Sequence, residues 1–167
     1  GPDGALYVAD FYNRIIGHYE VPLDHPGRDR ESGRIWRIVY TGKDAKPANK
    51  PASLADKSAD QLIQTLENDN FTVRMLAMNL LADRNDPQDI PLLRKQFQES
   101  QSGPLRSRVL WLLHRQGSLE DQDLKSAAAD PDREVRVHAM KVLSETPQWS
   151  NTMETLAVAG LDDQDPF

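Results

Sequence analysis

Apolar residues change their spacing once along this chain. Up to about Tyr40 they alternate with polar ones, as on a half-buried strand; from about Ser58 they recur three and four apart, as on one face of a helix. The first pattern predicts three strands: Ala5–Asp10 with Leu6 and Val8 on one face, Arg14–Val21, and Arg34–Tyr40. Gly1-Pro2-Asp3-Gly4 supplies turn chemistry ahead of the first strand, and Pro22–Gly33 is a long polar loop between the second and third. Three strands without a second layer bury too little apolar surface to fold alone. The segment therefore needs the rest of a sheet, or the helical part, to cover it.

The second pattern predicts helices in pairs. Ser58 and Gln61 form a capping box for a helix Ala59–Glu67, and Phe71–Asp83 follows a short Asn68-Asp69-Asn70 turn. Within that second helix lies the phrase Val73-Arg74-x-x-Ala77-Met78-x-Leu80-Leu81. It returns as Leu105-Arg106-x-x-Val109-Leu110-x-Leu112-Leu113 and as Val135-Arg136-x-x-Ala139-Met140-x-Val142-Leu143, with arginines 32 and then 30 residues apart. A first helix precedes each later phrase, over Pro87–Glu99 and Leu119–Ala129, and a further one is expected at Asn151–Leu161. One helix pair cannot bury its own apolar face, whereas stacked pairs share a core, so the three arginine-bearing helices are expected side by side. Ala77, Val109 and Ala139 are the small residues expected where neighbours approach closely. The phrase resembles HEAT repeats. The fold expected is thus mostly α, a HEAT-like α-solenoid over 58–167 preceded by an antiparallel β segment over 1–40, with an extended linker over 41–57. Pro47, Pro51 and four lysines keep that linker solvated, and Leu54 is expected to pin it to the helices. Asp163-Gln164-Asp165-Pro166 repeats the turn that opens a second helix, so the reading is of an internal fragment whose last repeat is truncated and leaves Leu156 poorly covered.

Composition narrows the function. Residues 1–45 carry 6 basic and 7 acidic side chains and residues 46–167 carry 14 and 19, within a net charge of −6. Nucleic acid is disfavoured as a partner, because phosphates need a basic face; a protein partner or neighbouring domain on the helical repeats is expected instead. Without cysteine there is neither a disulfide nor a thiolate metal site. His114 and His138 have no second ligand four residues on, so no metal is assigned. No apolar run reaches the length of a membrane span.

Two features of the helices admit alternative readings. Arg74, Arg106 and Arg136 form either an anion ladder or a set of ties to turn carboxylates such as Asp69 and Asp132; nearest-neighbour ties are the general device of repeat proteins and weigh more. Trp111, inside an apolar phrase, reads as partly core, and Trp149 beside Pro147 as the better surface anchor.

Polar groups able to carry chemistry gather in the strand segment: Asp10, Asn13, His18, Glu20, Asp24, His25, Asp29, Arg30 and Arg34. A cofactor bearing carboxylates needs arginine donors, which Arg30 or Arg34 can supply, and a hydride-accepting site needs a base, which His18 with Asp10 can supply. His18, Asp10, Asn13, Arg30 and Arg34 are the cofactor-binding candidates; no catalytic residue is assigned. A hard cation is the alternative ligand, and the structural alternative is strand-end hydrogen bonding on a charged, solvent-facing loop. No G-x-S-x-G, P-loop, H-E-x-x-H or EF-hand pattern occurs.

The same segment carries a family resemblance. Pro2-Asp3-Gly4-x-Leu6-Tyr7-Val8-Ala9-Asp10, Tyr12-Asn13, Ile16-Gly17-His18 and Gly33-Arg34-Ile35-Trp36-Arg37-Ile38 together resemble the last β-propeller blade of large bacterial membrane-bound dehydrogenase-like proteins. Their propeller is distantly similar to the pyrroloquinoline-quinone sugar dehydrogenases, with HEAT repeats following and commonly a C-terminal cytochrome c domain. The resemblance implies a periplasmic or exported parent protein that oxidises a sugar-like or other organic substrate and passes electrons to a cytochrome, with pyrroloquinoline quinone and haem c as the parent's cofactors. This stretch holds no C-x-x-C-H, so haem binding is not carried over to it, and no cofactor is expected within the fragment. Two other readings stay open: an interaction scaffold whose propeller has lost activity, and a metal-dependent propeller lactonase or hydrolase.

Overall fold

The structure is a computed structural model, and it describes residues 1–10, 15, 21–45 and 52–165. It is mostly α, with a small antiparallel sheet at the start, and divides into two compact units, Gly1–Ala52 and Ser53–Phe167.

In the first unit, β1 (Leu6–Asp10) pairs antiparallel with β2 (Arg34–Ile38), Val8 opposite Trp36 and Asp10 opposite Arg34. Two of the three expected strands are thus described, and the first pairs with the third. The expected middle strand lies almost wholly outside the described residues. Among the described residues the sheet has two strands, and its side chains are widely exposed: Leu6 is 61% exposed, Ile35 75%, Trp36 51% and Ile38 53%. The connecting loop is held by its own polar groups. Arg28 donates to the carbonyls of Val21 and Pro22, and the Asp29 carboxylate accepts the N–H groups of Glu31 and Ser32.

The second unit holds seven α-helices among the described residues: α1 (Ala59–Thr65), α2 (Phe71–Arg84), α3 (Ile90–Glu99), α4 (Gly103–Arg115), α5 (Asp121–Ala128), α6 (Arg133–Glu145) and α7 (Asn151–Gly160). The capping box at Ser58 and Gln61 is present. Helix three begins later than its pattern suggested, because Pro87–Asp89 form a 3-10 turn capped by Asp86 before the α-helix proper. Each first helix packs on its second, α1 on α2, α3 on α4 and α5 on α6. The second helices α2, α4 and α6 contact one another in that order, so the arginine-bearing helices do stand side by side. One continuous core runs through them, and Ala77, Val109 and Ala139 are fully buried within it, letting adjacent backbones approach.

Turns between helices follow one design. At Asn68, Ser100, Asp130 and Asp163 a side-chain oxygen accepts the N–H two residues on, at 2.8–3.1 Å. In the first three turns the residue receiving that support, Asn70, Ser102 or Asp132, is the N-cap of the following second helix. At Gly103 a Cβ would overlap the Asp132 carboxylate that caps α6, so a larger residue there would displace that cap. A glycine is favoured at Gly117, whose φ of +64° lets Ser118 N–H close α4 on the Leu113 carbonyl. Residues 53–57, expected in the linker, are bound to the helical unit: Leu54 packs on the core and Arg84 donates to the carbonyls of Ala55 and Lys57. Helix α7 contains no fully buried residue, and Leu156 is half-buried. No helix of the described residues is long and apolar enough to cross a membrane.

Candidate functional site

The β hairpin brings two of the five candidate ligands together. Cross-strand pairing sets Asp10 opposite Arg34, with 3.6 Å between Oδ2 and Nη1. The same Oδ2 accepts the Trp36 indole N–H at 3.2 Å, and the Arg34 guanidinium lies 5.8 Å from the Trp36 ring centroid. Asp10, Arg34 and Trp36 form one small polar-aromatic cluster whose charges satisfy each other. Arg30 stands apart from it and donates to the Leu23 carbonyl, closing the loop. His18 and Asn13 lie outside the described residues, as does Glu20. His25 accepts the Gly27 N–H on Nδ1, an intraloop bond.

A second cluster on the hairpin escaped the sequence reading. Arg37 Nε donates to Asp3 Oδ2 at 2.8 Å and to the Tyr7 hydroxyl at 3.2 Å, and that hydroxyl donates to Asp3 at 2.9 Å. Tyr7 and Arg37 meet because they are paired across the strands. The hydrogen bond from Arg37, followed by that from the Ala5 N–H, pulls the Asp3 carboxyl from its ordinary 3.8 down to about 2. A carboxyl with a depressed folded-state pKa supports the fold above its unfolded pKa and loses that support as pH falls through the folded value. Tracking the Asp3 carboxyl by NMR during an acid titration should therefore give a midpoint near 2, with the hairpin contribution declining between about pH 4 and pH 2. A midpoint near 4 would mean that the Arg37 contact does not persist in solution.

In the helical unit the repeated arginines act as ties, with partners that differ from those expected. Each first reaches back to its own turn: Arg74 donates to the carbonyls of Asn68 and Asp69, Arg106 to that of Ser100, and Arg136 to that of Asp130. Two then reach forward to the next turn. Arg106 grips Asp130 at 2.8 and 2.7 Å, and Arg136 grips Asp163 at 2.8 and 3.2 Å. The carboxylates of Asp69 and Asp132 are therefore not the anchors. Asp132 is occupied with the α6 N-cap, and Arg74 meets Asp69 only at its carbonyl. The residue matching Asp130 in the turn ahead of Arg74 is Ser100, which has no carboxylate to offer. Arg94 ties the first helices in a similar way, pairing with Glu120 and Asp123 and donating to the Ser118 carbonyl.

Trp111 is half-buried and packs on the core, and its indole N–H donates to His138 Nδ1 at 2.9 Å. Burial, reinforced by Lys141 and opposed by Glu134, holds His138 below the ordinary imidazole range, which keeps Nδ1 free to accept. Trp149 is the more exposed of the two tryptophans and donates to the Leu143 carbonyl. Between α5, α6 and α7 opens a cavity of about 250 Å³ lined by Ala128, Met140, Leu156 and Ala159, with an Arg133–Asp165 ion pair beside it. Among the described residues no group of three His, Asp or Glu side chains is placed to hold a metal ion.

Comparison with known families touches the hairpin and its loop. A family model described as a domain of unknown function, DUF7133, matches residues 1–42, and no curated protein matches the chain.

Proposed function

We propose that the chain is a non-catalytic part of a dehydrogenase-like, electron-transfer-coupled exported protein, its β unit one blade of a larger propeller and its HEAT-type helix pairs a spacer and docking scaffold. The observation that carries this reading is the open hairpin. Leu6, Ile35, Trp36 and Ile38 face solvent on a sheet that has two strands among the described residues, and an apolar surface of this kind is stabilised when further strands cover it. A family model whose match stops at residue 42, short of the helices, supports treating that segment as a module in its own right. The helical unit supports the scaffold role: Arg94, Arg106 and Arg136, with the carboxylates they hold, join one pair to the next, which is what a stiff spacer requires.

The visible spectrum of the full-length natural protein, recorded with and without dithionite, tests the electron-transfer part. A reduced c-type haem band is the expected result. A spectrum without haem would favour the second reading, an interaction scaffold with an inactive propeller, which the mutually satisfied Asp10–Arg34 pair supports. Chemical cross-linking tests docking separately: exposed Lys125 and Lys141 should link to another domain or polypeptide, and no such link would refute it.

A further inference from the structure

The ladder arginines set a register for the second helices that also orders their outer face. Two positions after Arg74, Arg106 and Arg136 come Leu76, Arg108 and His138; five positions after come Asn79, Trp111 and Lys141. Because α4 lies between α2 and α6, Arg108 and Trp111 occupy the middle of this face. Arg108 Nη1 donates to the Leu66 carbonyl at 3.1 Å, and Arg74 Nη1 donates to the carbonyls of Asn68 and Asp69. Two guanidinium groups thus converge on the turn between α1 and α2, with carbonyl oxygens as their bonded partners. Among the described residues no carboxylate comes within 4.0 Å of either.

That arrangement contrasts with Arg94, Arg106 and Arg136, each of which has a carboxylate in contact. Arg108 is half-buried, so its charge is partly desolvated; Arg74 repels it, and Glu67 and Glu134 offset that at longer range. Trp111 follows Arg108 one turn along α4, and Leu76 takes the matching place of Arg108 on α2. Leu76 is 43% exposed, and Trp111 is fixed in orientation by its bond to His138 and by edge contacts with His114 and His138. A rigid aromatic next to a guanidinium that no carboxylate contacts is the composition from which protein-binding hot spots are built.

We propose that this face binds a protein segment carrying a carboxylate next to an apolar side chain, the carboxylate seated on Arg108 and Arg74 and the apolar group on Leu76 and Trp111. This rests on the docking role given above and names the chemistry of its partner. Charge complementarity selects an acidic segment, and the fork geometry of guanidinium favours a planar carboxylate. The probe is a fluorescein-labelled peptide of alternating Asp or Glu with Leu or Phe, followed by anisotropy against the whole chain, beside a second peptide with Asn and Gln in place of the acids. The acidic peptide should bind at least about tenfold more tightly, and Arg108→Gln should remove about tenfold of its affinity, as a charge-assisted bond of this kind implies. Leu76→Glu, at an exposed position outside the core, should abolish binding while the melting curve stays put, and Lys125→Gln on α5 should change nothing. Failure of the acidic peptide to bind, equal binding of both peptides, or affinity indifferent to Arg108→Gln would each overturn the proposal. A short single-stranded DNA that competes as well as the acidic peptide would overturn it too, in favour of general anion binding. Cross-links from Lys125 on α5 that persist alongside any of these failures would leave docking intact and refute this face alone.

Discussion

Asp130→Ala should lower the unfolding free energy of the helical unit by about 3 kcal/mol, the low end of what removing one partner of a buried ion pair costs. Asp130 and Arg106 expose only 8% and 11% of their side chains, and the two hydrogen bonds between them are short and parallel. Removing the carboxylate leaves the guanidinium enclosed with the Ser100 carbonyl as its remaining acceptor, and it removes the acceptor for the Asp132 N–H that orders the turn ahead of α6. Asp130→Asn keeps that turn bond and loses the charge, so it should fall between alanine and wild type. Asp163→Ala should cost clearly less: it occupies the same place one repeat on, but its side chain is 25% exposed and water can replace it. Urea unfolding at neutral pH, followed by far-UV circular dichroism, measures all three. Equal losses at positions 130 and 163 would show that burial does not decide the strength of these ties.

Leu112→Ala should be comparably severe, at about 3 kcal/mol, within the range for truncating a fully buried leucine in a close-packed core. Helix α4 packs on α2, α3 and α6 and buries Leu105, Val109, Leu110, Leu112 and Leu113, so little can move to fill the space left behind. Leu156→Ala on α7 removes the same atoms from a half-buried site with a cavity already beside it, and should cost about 1 kcal/mol. Both values come from the same urea experiment. If the two substitutions cost the same, the core is not concentrated at α4 and the stacking described for α2, α4 and α6 is wrong.

Much of the helical unit was legible because its signals are local. A three-and-four apolar rhythm and Ser58 ahead of Gln61 depend on neighbours within two turns, and the arginine phrase, itself short, shows the repeat by recurring at intervals of 32 and 30 residues. The ties were half legible. That Arg106 and Arg136 would seek turn carboxylates follows from charge alone, but the choice of Asp130 over Asp132 depends on where each carboxylate lies once α4 and α6 have packed together. On the hairpin, alternation located β1 and β2 but could not pair them. Asp10 meets Arg34, and Arg37 meets Asp3 and Tyr7, only after a register between distant parts of the chain has been set, 30 and 34 residues apart for Arg37.

Local chemistry in the amino-acid order was thus enough to specify a short β segment, paired helices of recurring pattern, and the caps that start them, because each is governed by side chains a few residues apart. Three-dimensional packing alone settled which strand pairs with which, which aspartate each arginine holds, and that Arg108 and Trp111 come to lie at the middle of one face. Those outcomes depend on distances between residues far apart in the chain, which no spacing rule along one dimension can express.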